Sequence, residues 1–261
     1  MNKVTPLMLW PDVAPMWMQN LPEWLEDIFF NIYKCFLFEE RYMMFLKGLG
    51  NTLLLTLFAL LIGIALGIIV SLVRVTWDKN SSEMGGFSKF ILSIANSISK
   101  VYLTVIRGTP VVVQILLLNF VVFATSRNKI LVGCLCFGIN SGAYVAEIFR
   151  SGIMSIDVGQ MEAGRSLGFG YIPTMYHIIL PQAFKNVLPP LCNEFIVLLK
   201  ETAVVGYIGL SDLTYAASTV GGATYEYLFP LLLAAIIYLI MVILFTNLVE
   251  RLERRLRTSE R

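Results

Sequence analysis

Long charge-free apolar runs alternate with short polar connections along the chain. From Gly48 to Val73 no charged residue interrupts 26 positions, more than the roughly 20 residues an α-helix needs to cross about 30 Å of hydrocarbon. A second run, Gly108 to Ser126, holds 19 residues and can borrow a turn or two from Ser99 to Arg107. A third starts at Ile130 and stays uncharged through Ala146, then meets Glu147 and Arg150; the last, Tyr227 to Val249, holds 23 residues. Between Asn186 and Leu210 the apolar pattern is broken by Glu194, Lys200 and Glu201, as in a span of lower hydropathy packed among protein neighbours. The pattern predicts an all-α polytopic membrane protein with five transmembrane helices. Residues 87–106 carry Lys89, Lys100 and several Ser and Asn, so they read as an interfacial helix or as the start of the second span.

Composition agrees. Of 261 residues 57% are hydrophobic and 15% charged, and the mean hydropathy is +0.72, whereas soluble domains are about a quarter charged. The lipid bilayer is therefore the first partner. The formal net charge of +2 leaves no basic excess for a nucleic-acid partner. The position of the charges says more than their sum. Arg251, Arg254, Arg255, Arg257 and Arg261 follow the last span, while residues 207–227 before it have no Lys or Arg. By the positive-inside rule the C-terminus is cytoplasmic. An odd number of spans then puts the N-terminus outside and residues 151–185 in the cytoplasm; Arg127 and Lys129 fall outside, against the rule. Leu21, Trp24, Leu25, Ile28, Ile32 and Phe36 recur at helical spacing, with Glu23, Glu26, Asp27 and Asn31 elsewhere on the wheel. This suits an amphipathic helix on the outer membrane surface, or a plain N-terminal anchor. No cleavable secretory signal is expected ahead of it, so the first span is expected to serve as its own targeting signal.

Few residues offer bond chemistry. Cys35, Cys134, Cys136 and Cys192 have no metal or redox spacing, and three lie in apolar stretches where a thiol behaves as a small hydrophobe. His177 is the single histidine and has no acid or nucleophile beside it in sequence. No phosphate-binding Gly-x-x-x-x-Gly-Lys-Ser/Thr loop occurs, so any nucleotide energy must come from another chain. Charges at membrane depth raise functional hypotheses by default. Glu147 and Arg150 stand three apart and can pair on one helix face; they either brace the cytoplasmic membrane edge or place a carboxylate on a substrate route. Arg107, Lys200 and Glu201 carry the same ambiguity. Gln114, Asn140 and Glu194 lie deeper, where they either face a translocation pathway or hold helices together. Gly63 and Gly67 read as close-packing positions.

The loop after the third span is the most specific feature. It reads Glu162-Ala163-Gly164-Arg165-Ser166-Leu167-Gly168, then nine residues, then Ile178-Ile179-Leu180-Pro181. A short helix up to Leu167 would end on Gly168, a residue that accepts the left-handed conformation. A second short helix could begin near Pro173, whose missing N–H costs nothing in a first turn. This spacing resembles the EAA loop of the membrane subunits of ABC-type importers, which runs Glu-Ala-Ala, three residues, Gly, nine residues, Ile, any residue, Leu, Pro; only Gly164 departs from it. Further likeness narrows the branch to permeases for polar amino acids: Gly48 with Asn51-Thr52-Leu53, Arg107-Gly108-Thr109-Pro110 with Gln114, Gly142 to Ile153, and Leu180-Pro181-Gln182-Ala183 onward to Gly209-Leu210. Residues 1–40 are not covered.

The resemblance implies a type I ABC importer permease fold in the bacterial inner membrane. With the span pattern and the charge distribution, the chain is expected to divide into an extracytoplasmic N-terminal segment with the amphipathic interfacial helix (1–41), a five-helix transmembrane permease domain with a cytoplasmic coupling loop at about 151–185 (42–250) and a basic cytoplasmic tail (251–261). The resemblance implies that Glu162, Ala163, Gly164, Gly168, Leu180 and Pro181 couple the chain to an ABC ATPase dimer. Further implied partners are a second permease subunit, identical or homologous, an extracytoplasmic amino-acid-binding protein, and the amino-acid substrate. The chain itself would hold no cofactor and perform no catalysis, ATP and Mg being bound by the ATPase. A permease for another small solute is the nearest alternative. A secondary transporter or channel would ordinarily show paired repeats or broken helices in two halves.

Overall fold

The computed structural model of the chain describes residue 10, residues 22–82 and residues 84–258. Leu21 and Arg261 lie outside the described residues, as does the side chain of Arg257. The regular elements described are all helical. Glu23–Ile32 forms α1, followed by a π turn at Tyr33–Leu37 and a 3-10 turn at Phe38–Glu40. Then come α2 (Tyr42–Asn80), α3 (Gly86–Gly108), and α4 (Val111–Leu117), which runs into a π turn at Leu118–Val122. Next are α5 (Lys129–Met154), α6 (Val158–Ser166), α7 (Tyr171–Thr174) and a π turn at Met175–Ile179 leading into α8 (Leu180–Glu201). A 3-10 segment (Thr202–Ile208), α9 (Leu213–Thr224) and α10 (Leu228–Thr258) complete the order.

Helices α2, α3, α5 and the stretch Leu228–Leu256 of α10 are long and apolar enough to cross a membrane. These are the four such helices among the described residues; α8, with 22 residues, is long enough but more polar. The second span is not where the apolar run placed it. Thr109 is extended (φ −120°, ψ 146°), as the residue before a proline must be, because the Pro110 ring disfavours the helical region there. Helix α3 therefore stops at Gly108, and the apolar Val111–Val122 that follows measures only about 18 Å, well short of the hydrocarbon thickness. Residues 86–108 form the full-length helix instead. Their polar residues misled the hydropathy reading because Asn96 and Ser99 turn inward and are buried. Phe87, Phe90, Ile94, Ile98, Val101 and Val105 are left exposed as the apolar stripe. The fourth span also starts earlier, at Leu180 rather than Asn186, and ends at Glu201.

Contacts group the chain into two compact units. The larger comprises residues 53–202 and 242–261 and is built around α5. A Cβ placed on Gly67 would lie 2.5 Å from Val145 Cγ1, and one on Gly63 would lie 3.0 Å from Ser141 Cβ. These α2 positions thus meet α5 almost backbone to backbone, the small-residue packing by which membrane helices associate without a hydrophobic driving force. Tyr102 of α3 donates its hydroxyl to the Ile139 carbonyl at 2.5 Å, and Arg74 of α2 donates to Asn96 Oδ1 at 2.7 Å.

The other unit comprises residues 1–52 and 203–241. Its polar centre is Asp212, fully buried, which caps α9 by accepting from the backbone N–H of Thr214 (3.0 Å) and Tyr215 (2.9 Å) and takes a third bond from the Tyr238 hydroxyl at 3.3 Å. Asn51 donates to the Ser211 carbonyl at 2.7 Å, and the Leu213 N–H donates to Thr52 Oγ1 at 3.3 Å. Burial pushes the Asp212 carboxyl up, while the two backbone donors and the Tyr238 hydroxyl favour the ionised form and oppose that shift. Toward the N-terminus, Trp10, Tyr33 and Phe38 form a buried aromatic cluster, and the Cys35 thiol contacts Thr224 Oγ1 at 3.8 Å. Arg41 holds the turn by donating to the Lys34 carbonyl at 2.8 Å and lying 5.2 Å over the Phe38 ring. The amphipathic stretch is thus helical over Glu23–Ile32, and its continuation turns inward at Tyr33, Cys35 and Phe38.

Candidate coupling loop and polar interior

Helix α6 owes its bounds to both ends of its sequence. Asp157 caps its start, its carboxylate accepting from the Gly159 N–H at 2.7 Å. Beyond Ser166 the Phe169 N–H bonds the Gly164 carbonyl (3.1 Å) and the Gly168 N–H bonds the Arg165 carbonyl (2.9 Å). These are the paired bonds of a Schellman ending, and they require a left-handed residue at the bend; Gly168 supplies it with φ +85°. The departure at Gly164 also has a physical reason. A Cβ there would sit 2.5 Å from Thr174 Cγ2, 2.9 Å from Thr174 Oγ1 and 3.2 Å from Ile178 Cδ1, so α6 packs on α7 at a distance only glycine permits. Thr174 is fully buried and donates its hydroxyl to the Gly170 carbonyl at 2.9 Å.

The second short helix, α7, begins at Tyr171, two residues before Pro173. From Tyr171 the chain stays helical through the π turn into α8. That turn comes just before Pro181, which has no N–H to give and whose ring crowds the carbonyl four residues back; the Leu180 N–H reaches Met175 O instead. Leu180 and Pro181 therefore lie in the first turn of α8, and the loop is a knob joined to that helix through a helical π turn. Glu162 and Ala163 are exposed on the knob. On the same knob Leu167 and Ile172 are each 76% exposed. A cavity of about 360 Å³ adjoins α6, lined in part by Lys79, Asp157, Met161, Glu162, Arg165 and Tyr171.

Two polar clusters lie on α5. In the first, Asn140 donates to Gln114 Oε1 at 3.0 Å. The Gln114 amide donates in turn to the Ile106 carbonyl (2.8 Å), the Thr109 carbonyl (3.1 Å) and Thr109 Oγ1 (2.8 Å). Gln114 thus satisfies carbonyls freed where α3 breaks at Pro110. Next to Asn140, Ser141 donates to Glu194 Oε1 at 2.8 Å, joining α5 to α8. Glu194 also lines a cavity of about 520 Å³ with Lys185, Asn186, Asn193 and Glu253. The second cluster is at the far end of α5. Arg150 pairs with Glu147 at 3.3 Å and with Asp78 of α2 at 3.5 Å. The structure thus brings Gln114 and Asn140 together, joins Glu194 to the neighbouring residue on α5, and leaves Glu147 seven residues away.

Several of these partners were not singled out from the sequence. Ser141 and Thr174 had no local signal. Asp212 had one, since a Ser-Asp pair directly before an apolar helical stretch is an N-cap signature. Arg107 lies 5.4 Å over the Tyr144 ring. Lys129 folds back to donate to Asn119 Oδ1 at 2.7 Å. The four cysteines are unpaired, with Cys35, Cys134 and Cys136 buried. Among the described residues no three His, Cys, Asp or Glu side chains converge as a metal site would require.

Residues 84–258 match the family model described as "Binding-protein-dependent transport system inner membrane component". Over 218 residues the chain is 38% identical to the arginine transport system permease protein ArtQ of Bacillus subtilis (strain 168), covering 82% of this chain and 93% of that protein. It is 33% identical over 225 residues to a putative glutamine transport system permease protein GlnP of Rickettsia bellii, covering 85% and 97%. Among solved structures, a chain of an amino acid ABC transporter crystallised with histidines superposes with a TM-score of 0.73 at 40% identity, covering 84% of this chain and 98% of that one. The MetNI methionine ABC transporter in an inward-facing form gives 0.66 at 16% identity and so shares the fold.

Proposed function

Because the chain belongs to the family of binding-protein-dependent transport system inner membrane components, we propose that it is the permease subunit of an ABC importer for a polar amino acid. The observation that carries the substrate class is the identity, 38% and 33%, to permeases named for arginine and glutamine transport. The chain is a non-catalytic, multi-pass component of the inner membrane; an ABC ATPase dimer binds ATP and Mg and drives it. A binding protein delivers the amino acid to the outer face, and a second permease subunit completes the pathway.

The knob α6–α7 is the handle. Glu162, Ala163, Leu167 and Ile172 form its exposed face, and the unbroken helical path from α7 into α8 carries its displacement to the helix that bears Glu194. ATP biases the transporter only if it closes the ATPase more tightly around the knob in one state than in the other. Glu194, with one oxygen held by Ser141 and its side chain lining the 520 Å³ cavity, is the pathway carboxylate, suited to a substrate ammonium. Gln114 and Asn140 brace the α3 break beside it. Glu147, paired with Arg150, braces the end of α5 where α2 meets it. The arginines in the last turns of α10, Arg251, Arg254 and Arg255, support a cytoplasmic C-terminus. Residues 1–41 then lie outside, with α1 on the membrane surface and Trp24, 63% exposed, as its interfacial anchor.

The test is ATP hydrolysis by the reconstituted chain and its ATPase, stimulated by the binding protein loaded with each amino acid in turn. Stimulation by one or a few polar amino acids is expected. Stimulation by none of them, with some other solute active instead, overturns the substrate class.

A further inference from the structure

One groove in the larger unit is almost wholly apolar. Its volume is about 290 Å³, and it is lined by Leu60 of α2, Leu191 and Phe195 of α8, and Phe245, Leu248 and Leu252 of α10. The Phe195 and Phe245 rings meet edge to face at 4.9 Å between centroids. From Phe245 to Leu252 the groove runs about 10 Å along the helix, most of the roughly 15 Å depth of one leaflet.

The two ends of the groove differ in charge. At the Phe245 end the wall is apolar. At the Leu252 end both signs of charge occur and the basic ones outnumber the acidic: Glu253 acts on the groove residue Cys192 and Glu250 pairs with Arg254 at 3.4 Å, while Arg251 and Arg255, both exposed, follow the groove residues Leu248 and Leu252 by three positions each on adjacent turns of α10. The groove therefore asks for a molecule with a thin apolar tail about one leaflet long and an anionic head at one end. A second helix, 10–12 Å across, does not enter a groove of this volume.

We propose that this groove binds one anionic phospholipid, an acyl chain lying along Leu60, Phe195 and Leu248 and the headgroup phosphate resting on Arg251 and Arg255. Only the choice of leaflet, the cytoplasmic one, rests on the orientation proposed above. The lipid would tie the end of α10 to α8, the helix that carries the coupling knob.

The test uses the full transporter, permease and ATPase together, exchanged into mixed micelles of phosphatidylglycerol and phosphatidylcholine with the same acyl chains. Native mass spectrometry then counts lipids retained per permease chain. Two arginines near an anionic head predict roughly thirtyfold preferential retention of phosphatidylglycerol, at one molecule per chain. Arg251→Gln/Arg255→Gln, a change of exposed residues, should bring retention of the two lipids near parity in a complex that still assembles. Leu248→Trp, which fills the groove, should lower retention of both. Equal retention by the unaltered protein, or a preference that survives the double arginine change, overturns the proposal. The readout reports neither substrate nor leaflet, so its failure leaves the transport reading standing and the reverse also holds.

Discussion

Adding one methyl group at Gly164 separates two opposed physical effects. In an exposed or loosely packed helix Gly→Ala raises stability by about 1 kcal/mol through backbone entropy. In α6 the new Cβ would lie 2.5 Å from Thr174 Cγ2 and 2.9 Å from Thr174 Oγ1, about 1 Å inside the usual 3.5–4.0 Å carbon contact. Relief needs either rotation of Thr174, which breaks its bond to the Gly170 carbonyl in a fully buried site, or a shift of α6 off α7. Overpacking of this kind costs about 1–3 kcal/mol, and an orphaned buried hydroxyl about 1–3 kcal/mol. We therefore expect Gly164→Ala to destabilise the knob by about 1–2 kcal/mol net of the helix gain, although it restores the Glu-Ala-Ala wording of the EAA loop. Thr174→Ala removes both opposing atoms, so the double variant should recover most of the loss. Thermal unfolding of the solubilised permease–ATPase complex and ATP-driven uptake in proteoliposomes give the four corners of the cycle. A single Gly164→Ala variant more stable than the parent and fully active, or strictly additive effects in the double variant, would refute the close packing of α6 on α7.

Three further changes probe other links. Gly168→Ala meets no steric obstacle but must adopt φ +85°, so it should cost about 1 kcal/mol and lower uptake per ATP hydrolysed; Gly168→Asn, better suited to that conformation, should lose less, and equal behaviour of the two would count against the Schellman bend. Ser141→Ala leaves Glu194 without its donor, and a loss of about 1–3 kcal/mol is expected in the melting of the complex; an unchanged melt would remove that bond from the account. Asp212→Ala should cost about 1 kcal/mol of capping energy, while Asp212→Asn keeps an acceptor for α9 and should cost less. The raised carboxyl of Asp212 means the native state holds its proton more tightly than the unfolded one. Its favourable contribution is complete below the unfolded value of about 3.9 and is lost as pH rises through the folded value. Melting profiles from pH 4 to 7 should therefore show Asp212→Asn gaining on the parent as pH rises, and a constant gap would contradict the burial argument.

The long helices were legible because lipid exposure demands uninterrupted apolar residues, as in α2 and α10. Helix α3 was not, since Asn96 and Ser99 lower its hydropathy although both point into protein, and only tertiary structure shows which face is wet. The break at Thr109-Pro110 was available from backbone sterics, yet the charge-free run across it suggested one span. At the loop, Gly168 could be read from the conformation it must adopt. The reason for Gly164 could not, because the atoms that exclude a side chain there belong to Thr174 and Ile178, and their approach depends on how α6 folds back on α7. Likewise Glu194 was marked by its cost in a membrane, while its donor Ser141 lies 53 positions away.

The central claim is that ATP energy reaches this permease through the knob to move a polar amino acid. It is tested most directly by uptake of labelled arginine and glutamine into proteoliposomes holding the chain, its ATPase and its binding protein, with the unaltered knob and with Glu162→Lys. Uptake of at least one of the two that requires ATP and falls sharply in the variant, with both complexes assembled to the same extent, is the predicted result. Accumulation without ATP, or undiminished in the variant, would contradict it.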